Sequence, residues 1–169
     1  ERRYQFKTLL FDKELNLKHS TQQLGLSMND RNDFLTDFDL DNHGNMVFGR
    51  GIRVGSNDNI TKFFLLLKAA NADSFHTREL VLNNYSLDEV KLKTDNYNNR
   101  YLFTGFYYPG RKTVIEGVAN AIFDKAADNW VVQNTVPFDA QLREDNRGPN
   151  TAKNAFNDFY IHDITIRSD

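Results

Sequence analysis

The chain has 169 residues, of which 40% are hydrophobic and 26% charged, a composition typical of one folded domain rather than of a disordered segment. Its net charge of −2 offers no basic surface for nucleic acid, and no apolar run is long enough to cross a bilayer. The absence of cysteine excludes disulfides, thiolate nucleophiles and cysteine-ligated zinc. We therefore predict no nucleic-acid partner, no transmembrane segment and no cofactor.

Apolar and polar residues alternate with a period of two along most of the chain, which predicts an all-β protein with antiparallel strands. In "TDFDLD", Phe38 and Leu40 fall on one face and the aspartates on the other. A weak helical pattern is confined to 150–159. The further predicted strands are "ITKFFLLLKA", "RELVLN", "EVKLKTD", "RYLFTGFYY", "TVIEGVANAIF", "NWVVQNTV" and "HDITIRSD".

The segment "DFDLDNHGNMVFGR" at 37–50 places a polar cluster between two apolar flanks, which is typical of a hairpin turn. Asp41 can accept hydrogen bonds from backbone N–H groups two residues on, and Gly44 and Asn45 tolerate positive φ. A calcium loop is the alternative, but its twelfth position would be Arg50, opposite in charge to the glutamate required. We predict a structural turn here, and a second one at Asp95, in which Asn98 and Asn99 tolerate positive φ.

Two sets of residues recur at nearly the same spacing, which indicates an internal repeat. The Asp-Asn pair at 41–42 recurs at 95–96, 54 residues later, and both pairs precede an apolar strand that ends in glycine. The Phe-Asp-Lys tripeptide at 11–13 recurs at 123–125, 112 residues later, and Leu67 lies midway, 56 residues from each phenylalanine. Repeats of this length with four short strands are typical of propeller blades.

The segments "TDFDLDNHGNMVFG" and "TDNYNNRYLFTG" resemble the repeat of bacterial SBBP-type and kelch-like β-propellers, in which an aspartate, a turn and Gly-Asn precede an apolar strand and a glycine. Asn98 stands where that family prefers glycine. The resemblance implies a sector of a β-propeller made of four-stranded antiparallel blades, with a β-sandwich as the alternative. The divisions that it implies are 1–26 for the late strands of one blade, 27–85 for a second blade, 86–158 for a third blade with a polar insertion at 138–157, and 159–169 for the first strand of a further blade.

Aromatic and basic residues provide the candidates for ligand binding. Tyr107, Tyr108 and Trp130 could form a platform for a sugar ring, and packing between blades is the alternative. Arg50 and Arg53, in the glycine-rich run "GRGIRVGS", could bind an anion or could be solvated strand ends.

The carboxyl group of Glu116 is the one candidate for catalysis. Glu116 interrupts the apolar strand "TVIEGVA", and a buried glutamate can act as a general acid. Solvent exposure or a salt bridge to an arginine is the alternative. We predict no catalytic residue and no metal ligand.

The resemblance predicts a non-enzymatic binding or assembly module of a larger cell-envelope or secreted bacterial protein, outside the cytoplasm, with a protein or glycan ligand. The alternative is a carbohydrate-binding or glycoside-hydrolysing propeller protein, which would need two carboxyl groups about 5 to 10 Å apart in one pocket. Because the chain begins and ends inside a repeat, we expect another segment or a second chain to complete the β structure.

Overall fold

A computed structural model describes residues 2–55, 59–109, 114–145 and 159–167 of the chain. All strand pairings in it are antiparallel, and the only helix in these ranges has six residues, so the predicted all-β class is confirmed. In chain order the elements are β1 (Arg2–Phe11), β2 (Leu17–Met28), β3 (Asp33–Leu35), β4 (Asp39–Leu40), β5 (Met46–Arg53), β6 (Ile60–Lys68), β7 (His76–Leu80), β8 (Tyr85–Asp95), β9 (Arg100–Pro109), β10 (Gly117–Asp124), β11 (Asn129–Pro137) and α1 (Ala140–Asp145).

The strands form a two-stranded hairpin, β1–β2, and a nine-stranded sheet. The large sheet has the order β11-β10-β9-β8-β6-β5-β3, with β4 paired to β5 and β7 paired to β6. A single residue pair, Ile60 with Leu87, joins β6 to β8. The sheet therefore consists of two antiparallel halves, which we call the first meander (β3–β7) and the second meander (β8–β11).

The two meanders face each other. Val47 of β5 packs in one buried cluster with Phe123 of β10, although in a flat sheet these strands would be four positions, or about 19 Å, apart. The rings of Phe63 and Phe103 also meet, with centroids 4.8 Å apart. The sheet is therefore folded over, and the largest core cluster fills the space between its halves. The buried residues of that cluster are Ile60, Phe63, Leu80, Leu87, Val90, Phe103, Tyr107, Ala119 and Ala121.

The first meander is buried on its outer face as well. Phe48 follows Val47 along β5, so its side chain points to the opposite face, and it is also fully buried. Its ring lies 6.0 Å from that of Phe6 in the β1–β2 hairpin and 5.3 Å from that of Phe75. The hairpin, the first meander and the second meander thus form three successive layers.

Two glycines in β5 allow aromatic rings to cross the strand. A Cβ atom on Gly51 would overlap the ring of Phe34, and one on Gly49 would overlap the ring of Phe63. Both rings come from strands paired with β5. Close approach across the sheet therefore accounts for Gly49 and Gly51.

The outer face of the second meander carries a smaller cluster of Phe106, Tyr108 and Ile115. Ile161, from the segment 159–167, packs against this cluster, and its backbone N–H donates to Glu89 Oε1 at 3.3 Å. The sequence predicts a strand over 159–169, but 159–167 contains no strand. The Ile161 N–H bonds to a side chain of β8 rather than to a main-chain carbonyl, so the regular ladder that defines a strand does not form there.

The helix lies elsewhere than the sequence pattern suggests. Helix α1 (Ala140–Asp145) falls within the predicted polar insertion and is capped by Asp139, whose Oδ1 accepts the Leu142 N–H at 2.7 Å. The weak helical pattern at 150–159 lies, except for its last residue, outside the described residues. No helix in the described ranges has the length and apolar character needed to span a membrane.

Candidate functional site

Asp41 organises the turn between β4 and β5. Its Oδ1 accepts the backbone N–H groups of His43 and Asn45, both at 2.9 Å, and its Oδ2 accepts the side-chain amide of Asn45 at 2.9 Å. Gly44 has φ of 78° and is the only residue of the turn with positive φ. The prediction of positive φ at Asn45 is therefore wrong. With the aspartate already holding two N–H groups, one left-handed residue suffices to reverse the chain.

Asp95 builds the turn between β8 and β9 in the same way. It accepts the backbone N–H groups of Tyr97 at 3.0 Å and Asn98 at 3.1 Å, and the side-chain amide of Asn98 at 2.8 Å. Positive φ occurs at Asn99, with φ of 54°, and not at Asn98 as predicted. The two turns also touch each other, because the Asn42 N–H donates to Asn96 Oδ1, 54 residues away, at 2.9 Å.

Only the first of these aspartates is joined to a lysine. Lys125 Nζ lies 3.0 Å from Asp41 Oδ2 and 4.4 Å from the centroid of the Tyr101 ring, and the Tyr101 hydroxyl lies 3.4 Å from the same Oδ2. The Asp41 side chain is 0% exposed and that of Lys125 is 12% exposed. Lys125 comes from the turn after β10, so this buried group ties the second meander to the first.

The surroundings of Asp41 and Tyr101 determine which of the two is charged. Burial by itself would raise the pKa of Asp41, but hydrogen bonds from Asn45 and the Lys125 ammonium outweigh burial and hold the pKa below its usual range. Burial, and then the negative charge of Asp41, raise the pKa of the Tyr101 hydroxyl. Asp41 is thus an ionised carboxylate and Tyr101 a neutral hydrogen-bond donor.

A cleft of about 360 Å³ opens beside this group. It lies between the β4–β5 turn and the β6–β7 loop of the first meander and the strands β9 and β10 with the β10–β11 turn of the second. We call it the turn-end cleft. The residues that line it are Asn45, Leu67, Lys68, Ala69, Ala72, Ser74, His76, Tyr101, Phe123, Lys125 and Asp128.

The cleft has one acidic lining residue. Asp128 accepts a hydrogen bond from Arg78 Nη2, and its Oδ2 lies 3.5 Å from His76 Nε2. Within the described residues no group of three or more histidine, aspartate or glutamate side chains could hold a metal ion. The wall of the cleft therefore combines aromatic and aliphatic surface with cationic groups.

The three aromatic residues predicted to stack on a sugar do not share one surface. Tyr107 and Tyr108 are successive residues of β9 and belong to clusters on opposite faces of the second meander, 8% and 4% exposed. The Tyr108 hydroxyl donates to Asp88 Oδ2 at 3.1 Å, and burial and then this carboxylate raise its pKa. Trp130 packs edge-on against Phe123 with centroids 5.4 Å apart, beside the turn-end cleft. Sugar binding by these residues stays a prediction.

The two arginines predicted to bind an anion already have other contacts. Arg50 donates through Nε and Nη2 to Asp33 Oδ2, and Arg53 lies 5.1 Å from the centroid of the Phe34 ring. Arg53 lines a second cleft of about 260 Å³, which acidic side chains also line. Anion binding there stays a prediction.

Glu116 forms a salt bridge to an arginine, which was the alternative to catalysis in the sequence analysis. Its Oε1 lies 3.2 Å from Arg143 Nη2, and its side chain is 42% exposed. The same arginine donates to the backbone carbonyl of Glu116 at 2.8 Å. Glu116 is thus half of an ion pair that holds α1 against β10.

Sequence reasoning did not identify Tyr101, Lys125 or Lys68 as site residues. Lys125 belongs to the repeated Phe-Asp-Lys tripeptide, but nothing in the sequence indicates that its side chain reaches Asp41, 84 residues away. Tyr101 is one of several aromatic residues in β9, and alternation alone does not show which face meets the cleft.

Comparisons with protein-family models, with curated proteins and with solved structures found no match to this chain. The resemblance to SBBP-type and kelch-like repeats therefore stays a prediction, and any assignment of function depends on the geometry of the turn-end cleft.

Proposed function

We propose that this chain is a non-enzymatic binding or assembly module of a larger cell-envelope or secreted protein, built on a sector of a β-propeller, and that its ligand occupies the turn-end cleft. The observation that carries the proposal is the cleft itself. Its volume of about 360 Å³ and its mixed apolar and polar lining are those of a small-ligand site.

The layer order supports the propeller scaffold. The hairpin, the first meander and the second meander stack face on face, as successive blades of a propeller do. Contacts between positions about one repeat apart agree with this arrangement: the Thr94 N–H donates to Asp39 Oδ2, 55 residues away, at 2.8 Å. A β-sandwich, the alternative, has two layers, so the hairpin would be an addition to it.

Charge states in the cleft favour binding over glycoside hydrolysis. A glycosidase needs one carboxyl group with a raised pKa to act as general acid, and a second one facing the same pocket. Asp128 is the one acidic lining residue, and Asp41, beneath the cleft, has a lowered pKa.

A glycan array, with turnover measured as release of reducing sugar from every bound glycan, tests the proposal. Ala72 lines the cleft, so Ala72→Trp should fill it. Ala126→Trp places the same side chain on the exposed β10–β11 turn and is the matched control. We expect the wild type and Ala126→Trp to bind the same glycans, Ala72→Trp to lose them, and no sugar to be released.

Two results would contradict the proposal. Sugar release by the wild type would make the chain an enzyme. Binding that survives Ala72→Trp would place the ligand outside the turn-end cleft.

A further inference from the structure

Lys68 is a buried lysine at the end of β6. It is 4% exposed and lines the turn-end cleft. Its Nζ donates to the backbone carbonyls of Ala69 at 3.2 Å and Ala70 at 3.5 Å, and no carboxylate of the described residues lies within salt-bridge distance of it. Lysine is rarely buried without an acidic partner, because an unpaired ammonium loses its hydration. The third N–H of the Lys68 ammonium has no acceptor in the part of the chain that the structure describes.

The repeat shows that Lys68 occupies a position where other hairpins carry an aspartate. Leu67 aligns with Phe11 and Phe123, so Lys68 aligns with Asp12 and Asp124. Asp12 Oδ1 accepts the backbone N–H two residues on at 3.1 Å, and Asp124 Oδ1 does the same at 2.9 Å. A lysine ammonium has no acceptor and cannot make that bond.

A neighbouring turn supplies the missing bond instead. The backbone N–H of Ala70, two residues after Lys68, donates to Asn45 Oδ1 at 3.0 Å. The side chain at position 68 therefore does not have to accept this hydrogen bond, and an aspartate is not needed there. The side chain that replaces the aspartate has the opposite charge and faces a cleft.

The other charges around the cleft are compensated within the protein. Lys125 is paired with Asp41, and Asp128 with Arg78. Lys68 is the remaining fixed charge, and it is positive. Leu67 and Phe123 provide apolar surface in the same cleft.

We propose that the turn-end cleft binds a small carboxylate anion, with the carboxylate on Lys68 Nζ and a ring-sized body against Leu67 and Phe123. This inference rests on the proposed function, since it names the ligand class of that site. Two classes of compound have such a carboxylate on a ring-sized group, a sugar acid and an aromatic acid. Glucuronate and benzoate represent them, with glucose and benzyl alcohol as their uncharged counterparts.

Calorimetric titration of these four compounds into the wild type, Lys68→Met and Lys62→Met tests the inference. Methionine keeps the apolar stem of Lys68 and removes its charge. Lys62 lies on the same strand but is exposed and outside the cleft, so Lys62→Met is the matched control. We expect one of the two acids to bind the wild type and Lys62→Met alike, at least tenfold more weakly to Lys68→Met, and at least tenfold more tightly than its uncharged counterpart.

A measurement on the wild type covers the case in which Lys68→Met fails to fold. The bound acid should protect Lys68 from reductive methylation while Lys62 reacts normally. If glucose or benzyl alcohol binds in the cleft as tightly as its acid, the inference is wrong while the proposed function stands. If neither acid binds or protects Lys68, the inference is also wrong, and the glycan array still tests the proposed function by itself.

Discussion

Removing the ammonium of Lys125 is expected to destabilise the fold through Asp41. Lys125→Met keeps an apolar stem of similar length but removes the ammonium that lies over the Tyr101 ring, and it leaves the Asp41 carboxylate, with its fully buried side chain, without its cation. Removing one partner of a buried ion pair costs about 3 to 5 kcal/mol, because the other charge stays buried and uncompensated. Asp41 keeps its hydrogen bonds from His43, Asn45 and Tyr101, so we expect the lower end, about 3 kcal/mol.

Thermal unfolding followed by circular dichroism measures this effect. For a chain of this length 1 kcal/mol corresponds to about 2 to 4 °C, so the Tm of Lys125→Met should fall by about 6 to 12 °C. Lys18→Met is the control. Lys18 Nζ lies 3.1 Å from Asp12 Oδ2, nearly the same distance, but its side chain is 61% exposed. Since exposed ion pairs add little stability, its Tm should stay close to that of the wild type.

A double-mutant cycle separates the ion pair from other effects. Asp41→Asn removes the charge and keeps a side-chain oxygen for the turn, so Lys125→Met should cost much less in that background than in the wild type. Additive losses of stability from the two substitutions, or an equal Tm for Lys125→Met and Lys18→Met, would show that the buried pair does not join the two meanders as we infer.

Three further substitutions probe the turn, the strand glycine and the buried tyrosine. The pKa of Asp41 is lower in the folded than in the unfolded chain, so the stability that its ionisation contributes is present above the usual carboxyl range and is lost as the pH falls through the folded pKa. Asp41→Asn should therefore lose less stability in acid than the wild type, as measured by urea unfolding. Gly51→Ala should cost about 1 to 3 kcal/mol in urea unfolding because its Cβ overlaps the Phe34 ring, whereas Gly25→Ala, with open space around it, should cost less. Burial raises the pKa of Tyr101 in the folded state, so stability is lost as the pH rises towards that pKa, and Tyr101→Phe should lose less stability than the wild type above about pH 10.

The turns were the most predictable part of this molecule. An aspartate bonds the N–H groups two to four residues ahead of it, so the roles of Asp41 and Asp95 follow from a few neighbouring residues. The same local reasoning assigned positive φ to both residues of each turn pair. It could not show that one left-handed residue per turn is enough once the aspartate side chain replaces a backbone bond.

The aromatic residues show where local reasoning stops. Alternation places Tyr107 and Tyr108 on opposite faces of a strand, but a sequence does not state which faces another layer will cover. In this protein both faces are covered, one by the first meander and the other by residues that include Ile161. Neither ring is an open platform.

The sequence by itself determined most of the strands and the aspartate turns, because each depends on residues close together in the chain. Only the tertiary structure decided that the two meanders face each other, and with that the pairing of Lys125 with Asp41 and the placing of Lys68 in a cleft. The sequence does show Lys68 at the spacing where Asp12 and Asp124 occur. Whether that lysine would meet solvent, a carboxylate or a cleft depended on how the two meanders fold over each other, since the burial of a charge is set by contacts between distant segments.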